Sequence, residues 1–213
     1  MKDESMNLDQ IAKEMNQISD KLVAAGLVHL QGGNFSAREG PQMAITGHRS
    51  AKKSLSGSDL YIADVDSDQE VTGASKTLGM HRAIFRKTDA KAIIHAHPYY
   101  ATLISYYTDV LCPIDENSIY YLGEKVFCIQ SEGYMKWDRL AEQMADLLSQ
   151  SPAAILKWHG SFTIGSSLAE AFNATQALEF AARFLLDTRR LEPILGRAEM
   201  PDYAQKDTFK GRE

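Results

Sequence analysis

Apolar side chains along the chain first recur at steps of three and four. Leu8, Ile11, Met15, Ile18 and Leu22 keep helical spacing, so residues from about 7 to 25 are expected to form an amphipathic helix stopped at Gly26. Its apolar stripe predicts core packing. GGNFSAR then reads as a tight glycine turn leading to short strands at MAIT and LYIADVD. Helical spacing returns from Thr77 to about Arg86. Ala92-Ile-Ile-His-Ala-His97 is an apolar run ending at Pro98, the pattern of a buried strand. Further strands are expected at Val126 to Gln130 and at Ala153 to Trp158. Between them a helix from about Lys136 to Gln150 carries Leu140, Met144 and Leu147 on one face. The last long helix opens with Ser167-x-x-Glu170, a capping-box pattern, and is expected to run to about Arg190.

Strands and helices mix without a strict β-α-β alternation. This predicts an α/β/α sandwich around a central, largely antiparallel sheet, in a single domain over residues 1–192. From Pro193 the chain is charged and interrupted by Pro201. Residues 193–213 are therefore expected as a tail or as an arm lying on a neighbouring subunit.

Composition narrows the class. A hydrophobic fraction of 44% beside 24% charged residues in 213 residues fits a soluble globular domain with a sizeable core. No run of about 18 apolar residues is present to span a bilayer. The opening MKDESMNLDQ lacks the basic-then-apolar plan of a secretory signal, so a cytoplasmic protein is expected. Cys112 and Cys128 are expected as buried free thiols. The net charge is −5, and the basic residues are scattered apart from His48-Arg49 and Lys52-Lys53. That argues against a nucleic-acid surface.

The chemistry-bearing residues are histidines. In a strand, residues i and i+2 share a face, so His95 and His97 present both imidazoles to one side, about 6–7 Å apart. His159 closes the apolar run AAILKW and precedes Gly160, an address where functional residues gather. Three neutral imidazoles on a zinc-like ion leave it doubly positive with an open position, the composition of a catalytic site. His81 sits in a helical pattern and reads as a packed or capping side chain. His48, beside Arg49 and two lysines, would touch an anion if functional, and His29 has no assignment.

At these residues the chain resembles the class II aldolase/adducin family, over nearly its whole length. GGNFSAR, Ile45-Thr-Gly47, IIHAHPYYATLIS and LKWHGSFTIG with the ALEFAARF helix occur in the family's order. The resemblance places His95, His97 and His159 on the three metal-ligand histidines and implies one divalent ion per chain, taken as Zn2+. It implies a phosphate-binding pocket at Asn34, Thr46, Gly47 and Ser75, with Lys76 where a second serine is usual. Lysine there could hold a phosphate or accept a substrate carboxylate. It also implies a homotetramer with the active site at the subunit boundary, and a small phosphorylated or carboxylated substrate.

The departure from the family that bears on catalysis lies one residue on from Lys76. The family's aldolases carry a proton-transferring glutamate, and its epimerase an aspartate, where this chain has Thr77. Glu116, in CPIDENSIYYLG, is the candidate replacement carboxylate, and Tyr120 or Tyr121 a candidate phenol; the alternative for them is solvated loop carboxylates and core tyrosines. The expected activity is a metal-dependent lyase that cleaves a carbon–carbon bond next to a carbonyl through an enediolate. Decarboxylation of a small hydroxy or keto acid is the alternative, and a non-catalytic, adducin-like interaction domain a third.

Overall fold

The computed structural model describes residues 6–29, 32–50, 54–133 and 138–196. It contains an eight-stranded mixed sheet, in the order β3-β2-β1-β4-β8-β7-β6-β5. The strands are β1 (Asn34–Glu39), β2 (Gln42–Thr46), β3 (Leu60–Asp64), β4 (Ala92–Ala96), β5 (Val110–Leu111), β6 (Val126–Ile129), β7 (Ala153–Leu156) and β8 (Gly160–Gly165). Every pairing is antiparallel except β6 with β7. A parallel pair needs a crossover connection, and the segment between these two strands contains α5 (Ala141–Leu148). The α/β sandwich around a largely antiparallel sheet is thus as expected.

Helices cover both faces. Phe35, Ala44 and Ile94 on one face pack with Ile11, Met15 and Leu22 of α1 (Leu8–Ala24) and with Ala171 and Phe172 of α6 (Leu168–Leu195). Met43, Ile45, Ile93 and Phe162 on the other face pack with Ile84 and Phe85 of α2 (Leu78–Lys87) and with Met144 and Leu148 of α5. At the β5 end, Ala153 and Ile155 meet α6, α3 (Tyr99–Ile104) and α4 (Glu116–Leu122). β4 lies in mid-sheet between two helical layers, so all five of its residues are buried. That double burial is why it reads as an unbroken apolar run.

β1 and β8 escape a hydropathy reading because several of their polar side chains pack inward and are hydrogen-bonded. Ser36 lies 2.7 Å from a ring nitrogen of His81 on α2, and Arg38 donates to the Phe85 carbonyl at 2.6 Å. On β8, Thr163 donates to the Ala171 carbonyl of α6 at 2.9 Å. The helix α4 had a local signal: Asp115 accepts from the Ser118 amide at 2.8 Å and Gly123 ends the helix at φ 73°. By contrast, α3 starts at Pro98, which has no capping side chain, and takes its cap from α6. Glu179 accepts there from the amides of Tyr100 at 3.0 Å and Ala101 at 2.9 Å.

Several boundaries shift. The helix expected from Lys136 is α-helical only from Ala141, and the strand expected to reach Trp158 ends at Leu156. The last helix continues past the expected end near Arg190, through Pro193 to Leu195. The tail beyond residue 196 lies outside the described residues. Ser167 accepts from the Glu170 amide as the capping pattern predicts, while Glu170 reaches the Ser166 amide. Among the described residues no helix is long and apolar enough to cross a membrane. Cys112 is buried and Cys128 half-buried, and neither is part of a disulfide among the described residues.

Candidate metal centre

His95, His97 and His159 come together at one end of the sheet. Their ligand atoms all lie within 4.8 Å of one another, the one such group among the described residues. His95 is 2% exposed on β4, and its ring stacks on Phe162 of β8, the residue directly across, at 4.3 Å. Its Nδ1 lies 2.9 Å from the Ser161 carbonyl. A carbonyl only accepts, so Nδ1 carries the hydrogen and Nε2 keeps a bare lone pair.

That lone pair faces His159 Nε2 at 3.1 Å. Two nitrogens about 2.0–2.1 Å from one tetrahedral ion stand about 3.3 Å apart, so the spacing fits a shared cation. Burial is the main force holding all three imidazoles below their ordinary value: His95 well below, His97 to about 4, and His159 lowered. The neighbouring rings add to the shifts of His95 and His97. Neutral imidazoles are the form that coordinates a divalent ion. Thiolate ligands are not in prospect, since burial pushes the Cys128 thiol up to about 12.

His159 is delivered by a hairpin turn. Leu156 pairs with Gly160, leaving Lys157, Trp158 and His159 as the connection, so the turn precedes Gly160. Trp158 sits at φ 63°, a conformation costing a bulky residue about 1–3 kcal/mol. Its amide donates to Ser105 Oγ at 3.2 Å, and buried Lys157 pairs with Asp109. A Cβ on Gly160 would lie 2.3 Å from the Ala96 carbonyl oxygen. Only glycine lets β8 approach the ligand strand this closely.

The residues expected around an anion divide. Asn34 pairs with His95 across β1 and β4, so the amide and the imidazole are cross-strand neighbours on one face, about 5 Å apart at Cβ. Thr77 donates to Asn34 Oδ1 at 2.9 Å, and Ser75 Oγ lies 3.1 Å from Thr77 Oγ1. Thr46 is fully buried, its hydroxyl accepting from the Phe35 amide at 3.2 Å. The Gly47 amide donates to the Asp59 carbonyl at 2.9 Å. The Thr46 hydroxyl and the Gly47 amide are thus engaged in the fold. Lys76 is exposed, and with Ser75, Gly79 and Arg82 it borders a cleft of about 620 Å³.

Thr77, expected in the acid/base slot, is the N-cap residue of α2 and is 5% exposed. Glu116 stands exposed in the first turn of α4, a helix rather than a loop, and Tyr120 is 82% exposed rather than in the core. Sequence reasoning missed Ser161 and Phe162, which orient His95, and Glu179, which caps the helix after His97. No local signal marks them, because each acts across the sheet or between helices.

His81 is the buried residue its helical pattern suggested. It is fully buried, its Nε2 has no hydrogen-bond partner among the described residues, and burial pushes its imidazole down to about 3. The unfolded chain takes up a proton near 6.5, the folded one only near 3. Stability should therefore fall as pH drops through that window, by about 1.4 kcal/mol per pH unit from this residue. Denaturant unfolding of wild type and His81→Gln at about pH 5 and about pH 7 checks this. The variant should lose about that much of the pH slope, and equal slopes would refute it.

The chain belongs to the class II aldolase and adducin N-terminal domain family, whose profile matches residues 13–186. It is 27% identical over 184 residues to an L-fuculose phosphate aldolase of Methanococcus maripaludis, covering 84% of this chain and 95% of that one. It is 26% identical over 186 residues to a methylthioribulose-1-phosphate dehydratase of Persephonella marina, with 80% and 86% covered. The crystal structure of L-fuculose-1-phosphate aldolase from Thermus thermophilus superimposes with a TM-score of 0.80 at 29% identity, covering 87% of this chain and 98% of that one. Aldolases and dehydratases are both lyases.

Proposed function

We propose that the protein is a divalent-metal lyase. It breaks the carbon–carbon bond next to a carbonyl in a small phosphorylated sugar or keto acid, through an enediolate. The observation that carries this reading is the convergence of three neutral imidazoles beside Asn34. A divalent ion bound there, Zn2+ by the composition of the donor set, would supply Lewis-acid stabilisation of the oxyanion formed on bond cleavage. His95, His97 and His159 would hold it without adding negative charge, which would leave its full double charge available. Asn34, one strand away, orients the anionic end of the substrate. That spacing suits a molecule of a few carbons.

Aldol cleavage also needs a base for the substrate hydroxyl and an acid for the enolate carbon. A threonine hydroxyl is neither at neutral pH, and Thr77 spends its hydrogen on Asn34. Glu116 supplies the carboxylate from a neighbouring chain of a homotetramer, on a face where Tyr120 is exposed. The Thr77 slot also favours a second reading, decarboxylation. There the carbon–carboxylate bond breaks, CO₂ leaves, and the electron pair passes to the carbonyl with no hydroxyl to deprotonate.

Metal-loaded protein offered L-fuculose 1-phosphate and a panel of small β-keto acids discriminates. Release of CO₂, or exchange of the α-proton of a hydroxyketone, should exceed aldol cleavage. Metal-loaded protein that turns over none of these would defeat the proposal.

A further inference from the structure

Asn34 is 6% exposed, and its Oδ1 accepts from the Thr77 hydroxyl at 2.9 Å. A threonine has one hydroxyl hydrogen. With that hydrogen on Asn34, Thr77 Oγ1 offers only lone pairs to Ser75, 3.1 Å away. Ser75 must therefore donate to Thr77, and the hydrogens run one way, from Ser75 through Thr77 to Asn34. The amide is planar, so holding Oδ1 against Thr77 turns Nδ2 and its two N–H groups to the other side. Among the described residues no group accepts from them. Nδ2 is not among the buried atoms left without a partner, so its N–H groups face solvent and are open to a ligand.

We propose that Thr77 is a positioning residue that works through Asn34, presenting the amide N–H pair to an anionic oxygen of the substrate. This rests on the anion pocket of the proposed function and deepens it. The proton-transfer slot has become an orienting device. Ser75, its hydrogen spent inward, does not donate to the anion in this arrangement, so Asn34 carries the contact.

Two measurements on the metal-loaded full chain test this. Neutron diffraction of deuterated wild type should show deuterium on the Asn34 side-chain atom turned away from Thr77. Equilibrium dialysis with inorganic phosphate should give affinity within about twofold of wild type for Thr77→Ser, which keeps the hydroxyl. For Thr77→Val, which keeps the shape without the donor, it should fall about tenfold, the worth of one charge-assisted hydrogen bond. Deuterium on the atom facing Thr77, or phosphate affinity unchanged in Thr77→Val, overturns the proposal. Correct amide orientation in a wild type that binds no phosphate would instead remove the anion pocket and leave the role of Thr77 standing.

Discussion

His97→Ala protein, dialysed beside wild type against zinc, should retain less than about a tenth of an ion per chain, against about one for wild type. Loss of a partner that merely orients a ligand typically weakens metal binding about 10–100-fold, and His97 is a ligand itself, so a loss of about 100-fold or more is expected. The remaining pair, His95 and His159, stands 3.1 Å apart and cannot close a tetrahedral site. All detectable turnover should vanish with the metal. His97 is only partly buried, with its backbone amide held by the Leu27 carbonyl at 2.8 Å, so the fold should survive and circular dichroism should match wild type. Elemental analysis decides, and full occupancy in the variant would refute the ligand assignment.

Wild type should cleave L-fuculose 1-phosphate poorly, and Thr77→Glu should raise that cleavage about 10²-fold, the lower range of what a positioned acid/base contributes. The gain should appear in kcat. KM should rise at the same time, because Asn34 loses the hydroxyl that holds its amide in place. Lys76, next in the chain and exposed, must not trap the carboxylate in an ion pair, so Thr77→Glu/Lys76→Ser is the companion variant. Robust wild-type cleavage that is unchanged by Glu116→Gln would show that position 77 is not the slot it is taken for.

The parts of this architecture that sequence reveals are those governed by local rules. The periodic Leu8, Ile11, Met15 series ran true as α1, ended by Gly26 at φ 70°, because an amphipathic stripe and a left-handed glycine are local commitments. The apolar run into His95 and His97 gave β4, because a strand in mid-sheet has no polar face to confuse the pattern. Order along the chain and residue type were enough to nominate the three histidines. His159 could be named, although the three-residue turn that carries it shows only in the pairing of β7 with β8.

The rest was decided by contacts between distant residues. β1 looks like a polar turn until α2 supplies His81 and the Phe85 carbonyl as partners. α3 has no cap of its own and borrows Glu179 from a helix about 80 positions on. Sequence showed that position 77 lacks a carboxylate; only the tertiary structure shows what the threonine does, since its partner Asn34 lies 43 positions away. Likewise sequence supplied three histidines, while the Ser161 carbonyl that fixes the His95 tautomer and the Gly160 approach that brings β8 against β4 arise from the sheet register. Periodicity and capping act within a turn or two of chain and so are written in the residues themselves. The direction of a hydrogen bond, and the convergence of ligands on one point, depend on which strands become neighbours.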